Sequence, residues 1–123
     1  MSYLLDTNIL IDFLRKHPLA ATWMKGLERR AAVSVVSLAE LLGGARRQSE
    51  EREIYQLVGY LDLFPVNSEI ASLAGAHKKH YGKSHSVELG DALIAATAEH
   101  HGLKLATLNV KHFPMFARLK APY

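Results

Sequence analysis

The sequence predicts an α/β domain in which helices flank both faces of a small central parallel sheet of four to five strands. Two observations support this prediction. The length of 123 residues fits a single domain spanning 1–123, and short apolar runs alternate with segments of helical spacing. Strands separated by helices favour parallel pairing, because a crossover helix covers the sheet. The absence of cysteine excludes a disulfide framework and thiolate zinc sites.

The first half of the chain predicts two strands and several helical segments. Residues 3–5 form an apolar run that is too short for a helix and suits a buried strand. Helical spacing follows, and Pro18 fits the first turn of a second helix. Residues 33–36 are mostly β-branched and predict the second strand. Ser37 is expected to begin a long helical region that a pair of glycines divides or kinks.

The second half repeats the alternation. Residues 61–66 predict a third strand, in which Pro65 requires a position where one N–H is not needed. A segment with apolar residues at helical spacing comes next. The alanine-rich residues 87–101 then predict a strong, buried helix that ends at Gly102, and residues 103–107 predict the fourth strand.

The N-terminal residues do not resemble a targeting or membrane segment. No basic region precedes the first apolar run, and Asp6 interrupts that run. No stretch approaches the roughly 20 apolar residues of a membrane span. We therefore expect a soluble cytoplasmic protein that is not associated with a membrane.

Acidic and amide residues recur where predicted strands end, which is the edge at which parallel sheets bind ligands. Asp6 ends the first strand, Glu40 follows the second, and Asn109 leaves the fourth, where it could also serve as a turn residue. Asp91 lies within the alanine-rich helix, where a buried carboxylate is unfavourable unless it is paired or bound to metal. Glu88, three residues earlier, shares the helix face of Asp91.

Each acid also has a purely structural interpretation. Asp6 could cap the following helix, and Ser37 with Glu40 matches the S-x-x-E capping box. Asp91 could form a buried ion pair with Arg or Lys, whereas a capping role is not expected so far beyond the predicted helix start. Glu88 suits the first turn of a helix because of the helix dipole.

Considered together, the acids favour a metal site. Clustered carboxylates repel each other, and a divalent cation reverses that penalty. Ligands that are all oxygen select Mg²⁺ or Mn²⁺ rather than zinc. Metal ions held by Asp6, Glu40 and Asp91 would lower the pKa of a bound water and neutralise charge on a scissile phosphate.

The charge balance suits a phosphate polymer. Fifteen Lys and Arg oppose twelve Asp and Glu, a net charge of +3. If several acids gather in one pocket, the rest of the molecule is more strongly basic. Residues of this kind are more often solvated surface charges, but six are candidate contacts to a nucleic-acid backbone: Arg46, Arg47, Lys78, Lys79, Lys83 and Lys111.

Four sequence blocks resemble the signature blocks of PIN-domain ribonucleases. These blocks are LDTN at 5–8, SLAEL at 37–41, GDALIAATA at 90–98 and LATLNVKHF at 105–113. They occur in the family's order and with fitting spacing, nearly from end to end. More narrowly, the chain is similar to VapC-type toxins of bacterial and archaeal toxin–antitoxin modules.

The resemblance implies a PIN-like domain that is a Mg²⁺- or Mn²⁺-dependent endoribonuclease, with Asp6, Glu40 and Asp91 as its acidic metal site. The supporting residues that it implies are Thr7, Asn8, Glu88 and Asn109. Asn109 stands where the family often has a fourth acid, which removes one ligand for a second metal ion. The resemblance further implies an RNA substrate (transfer, ribosomal or messenger), a homodimer and a VapB-type antitoxin that blocks the site.

Two other functions are compatible with the residues. A metal-free ribonuclease could use histidines as acid and base, would work in EDTA and would leave a cyclic phosphate. A PIN-like module could instead bind nucleic acid or protein without activity. The histidines do not form a zinc pattern, because no H-E-x-x-H segment is present. A phospho-receiver domain is disfavoured because no Asp directly follows the second or third strand.

Overall fold

A parallel β-sheet lies between two layers of helices, as predicted. The structure is a computed structural model that describes residues 2–123. The strands in this range are β1 (Tyr3–Leu5), β2 (Ala32–Ser34), β3 (Asp62–Phe64) and β4 (Lys104–Ala106). The helices are α1 (Thr7–Leu14), α2 (Pro18–Lys25), α3 (Val35–Gly44), α4 (Gln48–Gly59), α5 (Ser68–Tyr81) and α6 (Leu89–His100), followed by a 3₁₀ turn at Val110–His112.

The sheet order brings the ends of three strands together. Its order is β3-β2-β1-β4, and every pair is parallel. Leu4 of β1 lies opposite Ala32 of β2 and Leu105 of β4. The backbone N–H of Asp6 extends this pairing by donating to Ala106 O at 2.9 Å. The residues that follow β1, β2 and β4 therefore emerge at one edge of the sheet.

Successive residues of β1 pack on opposite faces of the sheet, as the two-residue period of a strand requires. Leu5 belongs to a buried cluster with Ile9 and Leu10 of α1, whereas Leu4 packs with Ile94 of α6 and Phe113. All six side chains are at most 1% exposed. Helices thus cover both faces of the sheet. None of the helices in residues 2–123 is long and apolar enough to cross a membrane.

The start of α3 differs from the prediction. Ser34, not Ser37, is the N-cap residue, and its hydroxyl accepts a hydrogen bond from Val36 N at 3.0 Å. Ser37 lies inside the helix and is buried. The predicted capping box between Ser37 and Glu40 is therefore wrong. The serine cap and the burial of this segment outweigh the β propensity of two adjacent valines.

The start of α6 also differs from the prediction. The helix begins at Leu89 with Glu88 as its N-cap, so Asp91 lies in the first turn and takes part in a capping box with Glu88. The expectation that Asp91 plays no capping role was wrong. Ser86 has a φ of 53° and is therefore not helical, and the helix starts two residues later than the predicted residue 87. The expected end of this helix is confirmed, since Gly102 has a φ of 64°.

The third strand is shorter than predicted. It ends at Phe64, so Pro65 follows the strand instead of interrupting it. The proline ring removes the N–H that would continue the ladder, which is a physical reason for the strand to end there.

Candidate active site

Asp6 is a buried carboxylate at the carboxyl edge of the sheet. It is 5% exposed and lies between β1 and α1. Its Oδ1 accepts a hydrogen bond from Thr7 N at 2.8 Å, which confirms a capping role. Its Oδ2 accepts hydrogen bonds from the Thr107 hydroxyl at 2.7 Å and from Asn8 Nδ2 at 3.3 Å. Within residues 2–123, no Lys or Arg forms an ion pair with Asp6.

Thr7 connects Asp6 to Glu40. Its N–H binds Asp6, and its hydroxyl donates to Glu40 Oε1 at 2.6 Å. The same hydroxyl oxygen lies 2.9 Å from the hydroxyl of Ser37, one turn before Glu40 in α3. Glu40 does not cap α3, and its carboxylate is instead hydrogen-bonded by Thr7 at the sheet edge.

Gly90 allows Glu40 to approach the start of α6. A Cβ atom at position 90 would lie 3.3 Å from Glu40 Oε2, closer than most Cβ contacts. Asp91 is the next residue of α6. Because Gly90 has no side chain, the Glu40 carboxylate has room to lie against the backbone next to Asp91.

Asp91 is half-buried, and no Arg or Lys is paired with it in the part of the chain that the structure describes. Its Oδ2 accepts a hydrogen bond from Glu88 N at 3.2 Å and lies 3.4 Å from His112 Nδ1. The buried Arg or Lys ion pair that the sequence left open is thus not present. A histidine whose ring is partly exposed takes its place.

The two asparagines play different parts. Asn8 binds Asp6 through its amide nitrogen and accepts a hydrogen bond from Leu108 N at 3.2 Å, so it ties the ends of β1 and β4 together. Asn109 contributes its backbone N–H to the Thr107 hydroxyl at 3.0 Å, and this side chain is exposed. Glu88 is exposed and contacts Asp91 through its own backbone N–H.

The electrostatics of Asp6 reflect all three acids. Burial raises the pKa of Asp6, hydrogen bonds from Thr107 and Thr7 lower it, and the charges of Asp91 and Glu40 raise it. The described residues contain no group of three His, Cys, Asp or Glu side chains arranged to hold a metal ion. The acids nevertheless fit Mg²⁺ or Mn²⁺ in donor chemistry, since all are carboxylates, and Mg²⁺ usually keeps several waters alongside one or two protein carboxylates.

The predicted backbone contacts lie in different surroundings. The Lys78 ammonium donates to Val87 O at 2.9 Å, so it is engaged in holding α5 against the segment before α6. Arg46 lines a cleft that also contains Glu40 and Glu50. The remaining predicted contacts are exposed: Arg47, Lys79, Lys83 and Lys111.

Three residues of the site were not predicted from the sequence: Ser37, Gly90 and Thr107. Ser37 and Gly90 stand within the recognised sequence blocks, next to the acids that they serve. Thr107 follows β4 and is fully buried. Its place at the end of the predicted fourth strand, 103–107, is the sequence signal that could have put its hydroxyl at the sheet edge.

Comparisons with known proteins agree with this architecture. Residues 3–119 match the PIN domain family. The chain is 45% identical to Ribonuclease VapC10 of Mycobacterium tuberculosis over 123 residues, covering 98% of this chain and 92% of the relative. It is 38% identical to Ribonuclease VapC19 of the same species, with 98% of both chains covered.

Solved structures give the same result. A chain from a toxin–antitoxin complex of Klebsiella pneumoniae superposes with a TM-score of 0.85 at 29% identity, covering 99% of this chain and 98% of that one. A chain of VapBC-1 from nontypeable Haemophilus influenzae gives 0.76 at 28% identity, with 92% and 90% covered. The chain belongs to the PIN domain family and, within it, to the VapC ribonucleases.

Proposed function

We propose that this protein is a Mg²⁺- or Mn²⁺-dependent endoribonuclease toxin whose acidic centre consists of Asp6, Glu40 and Asp91. The observation that carries the proposal is the state of Asp6. Its carboxylate is buried and has no Arg or Lys partner in residues 2–123. The negative charges of Asp91 and Glu40 raise its pKa. The names of the VapC relatives support ribonuclease activity.

The chain's own side chains would orient the acids for this chemistry. Thr107 and Thr7 hold the two oxygens of Asp6, and Thr7 also holds Glu40. The first turn of α6 fixes Asp91. A divalent ion bound there would supply Lewis acidity toward a phosphodiester and an activated water. Because such hydrolysis does not use the ribose 2′-hydroxyl, we expect products with 5′-phosphate ends.

We further propose that a VapB-type antitoxin inhibits the protein and, on the family resemblance alone, that the toxin is a homodimer. The Klebsiella structure is a toxin–antitoxin complex, and the Haemophilus structure is a VapBC complex. The likeness to these assemblies at 28–29% identity supports a partner of the same kind.

His112 makes a metal-free ribonuclease the second candidate. Its Nδ1 lies 3.4 Å from Asp91 Oδ2, an arrangement in which a carboxylate could orient a histidine acting as acid or base. This mechanism would use the 2′-hydroxyl as nucleophile and leave a cyclic phosphate.

One experiment separates the two candidates. A pool of structured RNA is incubated with the toxin freed of antitoxin, in Mn²⁺ or in EDTA, and the product ends are mapped. We expect cleavage in Mn²⁺ only, with 5′-phosphate ends. Cleavage that persists in EDTA with cyclic phosphate ends would contradict the metal-dependent proposal.

We expect Glu40→Gln to reduce Mn²⁺ affinity about tenfold or more, because it removes one ligand charge. The fold should be retained, since glutamine can still accept the Thr7 hydroxyl bond and Glu40 does not cap α3. Isothermal titration calorimetry measures the affinity. Glu51→Gln, an exposed change in α4, is the control. Equal Mn²⁺ affinities in the two variants would show that Glu40 is not a metal ligand.

We expect Gly90→Ala to lower cleavage about tenfold, because the new methyl group meets Glu40 Oε2 and displaces the carboxylate. Gly75→Ala is the matched control. It lies in α5 with nothing within 4 Å of the added Cβ, and it should stabilise the helix by about 0.5–1 kcal/mol. Cleavage rates and melting temperatures of both variants are compared. Unchanged cleavage by Gly90→Ala would contradict a functional role for the close approach of Glu40 to Gly90.

A further inference from the structure

A basic pocket lies beside the acidic centre, between the α5–α6 loop and the C-terminal segment. Its volume is about 620 Å³. One wall is formed by Ser84–Ser86, and the other by residues of the segment from Val110 to Leu119. Four lining residues are cationic or become so on protonation: His85, Lys111, His112 and Arg118. None of the lining residues is acidic, so the pocket carries charge opposite to that of the neighbouring acids.

The pocket shares its walls with the acidic centre. His112, which lines it, lies 3.4 Å from the Asp91 carboxylate. Ser86 leads through Val87 directly to Glu88, the N-cap of α6. Val87 and Phe113 are at most 1% exposed, so each wall is anchored in the core. A nucleic-acid strand bound across Asp91 would therefore also contact this pocket.

Unfavourable backbone conformations are concentrated at this pocket. In residues 2–123, three residues other than glycine have positive φ: Lys16 (63°), Ser86 (53°) and Arg118 (61°). The last two line the pocket, one on each wall. Such a conformation costs roughly 1–2 kcal/mol for a residue with a side chain. Conformations of this kind cluster at ligand sites, where they direct side chains.

We propose that this pocket binds a phosphodiester group of the RNA strand adjacent to the scissile bond, with Lys111 and Arg118 as the contacts to phosphate. The guanidinium fork suits phosphate oxygens, and an ammonium acts as a point charge beside them. Half-buried Phe116 gives the pocket an apolar wall for a base. The inference rests on the proposed ribonuclease function, because it assigns the pocket to the same substrate.

A matched pair of variants tests the pocket. Arg118→Gly and Lys16→Gly each remove one positive charge at a residue with positive φ, where glycine is unstrained. Only Arg118 lines the pocket. Binding of a short fluorescein-labelled single-stranded RNA of mixed sequence is measured by fluorescence polarisation in EDTA at several KCl concentrations. Metal-dependent cleavage by the same preparations is measured in Mn²⁺.

We expect Arg118→Gly to weaken RNA binding about five- to tenfold and to reduce the slope of log Kd against log[KCl] by about 0.7, the loss of one phosphate contact. Lys16→Gly should match the parent. Equal effects in the two variants, no effect in either, or no RNA binding by the parent would overturn the proposal. If Arg118→Gly fails to fold by circular dichroism, Lys111→Gln decides by the same criteria.

The cleavage measurement keeps the two proposals apart. If Arg118→Gly weakens RNA binding but the parent does not cleave in Mn²⁺, the pocket stands and the nuclease proposal fails. If the parent cleaves and Arg118→Gly behaves like Lys16→Gly, the nuclease proposal stands and the pocket fails.

Discussion

We expect Asp91→Asn to lower RNA cleavage by about 10²- to 10³-fold, because the substitution removes several kcal/mol of charge stabilisation at the metal. Asparagine can still accept the hydrogen bond from Glu88 N, so the first turn of α6 should persist. Single-turnover cleavage in Mn²⁺ measures the effect, and circular dichroism checks the fold.

Asp62→Asn is the control for this variant. Asp62 is an exposed acid on β3, and its Oδ1 lies 3.9 Å from Nη1 of exposed Arg30. Asp62→Asn makes the same charge change at the first residue of β3, at the opposite end of the parallel sheet from Asp6, which follows the last residue of β1. A loss of activity equal to that of Asp91→Asn would mean that overall charge, not the position of Asp91, governs cleavage.

We expect Asp6→Asn to raise the melting temperature in EDTA and to abolish stabilisation by Mn²⁺. Asp6 is 5% exposed, and burial together with the charges of Asp91 and Glu40 raises its pKa in the folded protein. Ionised Asp6 therefore destabilises the fold when no cation is bound. A domain of this size gains about 3–5 °C in melting temperature from 1 kcal/mol.

The sign of the pH dependence follows from the raised pKa. The folded state binds the Asp6 proton more tightly than the unfolded state, in which the pKa of Asp6 is near 3.8. The advantage of Asp6→Asn is therefore present at neutral pH and disappears as the pH falls through the folded pKa of Asp6 toward 3.8. Melting temperatures of both proteins in EDTA between about pH 4 and 7 test this. A variant that melts earlier than the parent at neutral pH would show that the hydrogen bonds to Asp6 outweigh the repulsion.

The sequence was sufficient to predict where Asp6 lies. A short apolar strand that ends in an acid has one plausible place in a parallel sheet, and the helices on both faces follow from the alternation of elements. The boundaries near Ser37 and Asp91 were wrong because competing capping residues stand two or three positions away in each case. Ser34 and Glu88 took those roles.

The contacts that hold the acids could not be predicted from local patterns. The Thr107 hydroxyl bond to Asp6 joins residues that are 101 positions apart, and the approach of Glu40 to Gly90 depends on how α3 packs against α6. Such contacts depend on strand register and helix packing, which single residues do not encode. The basic pocket likewise arises from two loops whose strained residues, Ser86 and Arg118, carry no sequence signal for positive φ.

Site-resolved binding of Mn²⁺ tests most directly whether one divalent ion sits among strand ends that are distant in sequence. A trace of this paramagnetic ion is added to uniformly ¹⁵N-labelled protein, and broadening of backbone amide signals is recorded. We predict that the amides of Thr7, Asp91 and Leu108 broaden first and together. His77 Nε2 and Glu99 Oε1 lie 2.6 Å apart and offer an alternative place for the ion. Broadening that begins around that pair, or that spreads evenly over the surface acids, would contradict a shared metal site at Asp6, Glu40 and Asp91.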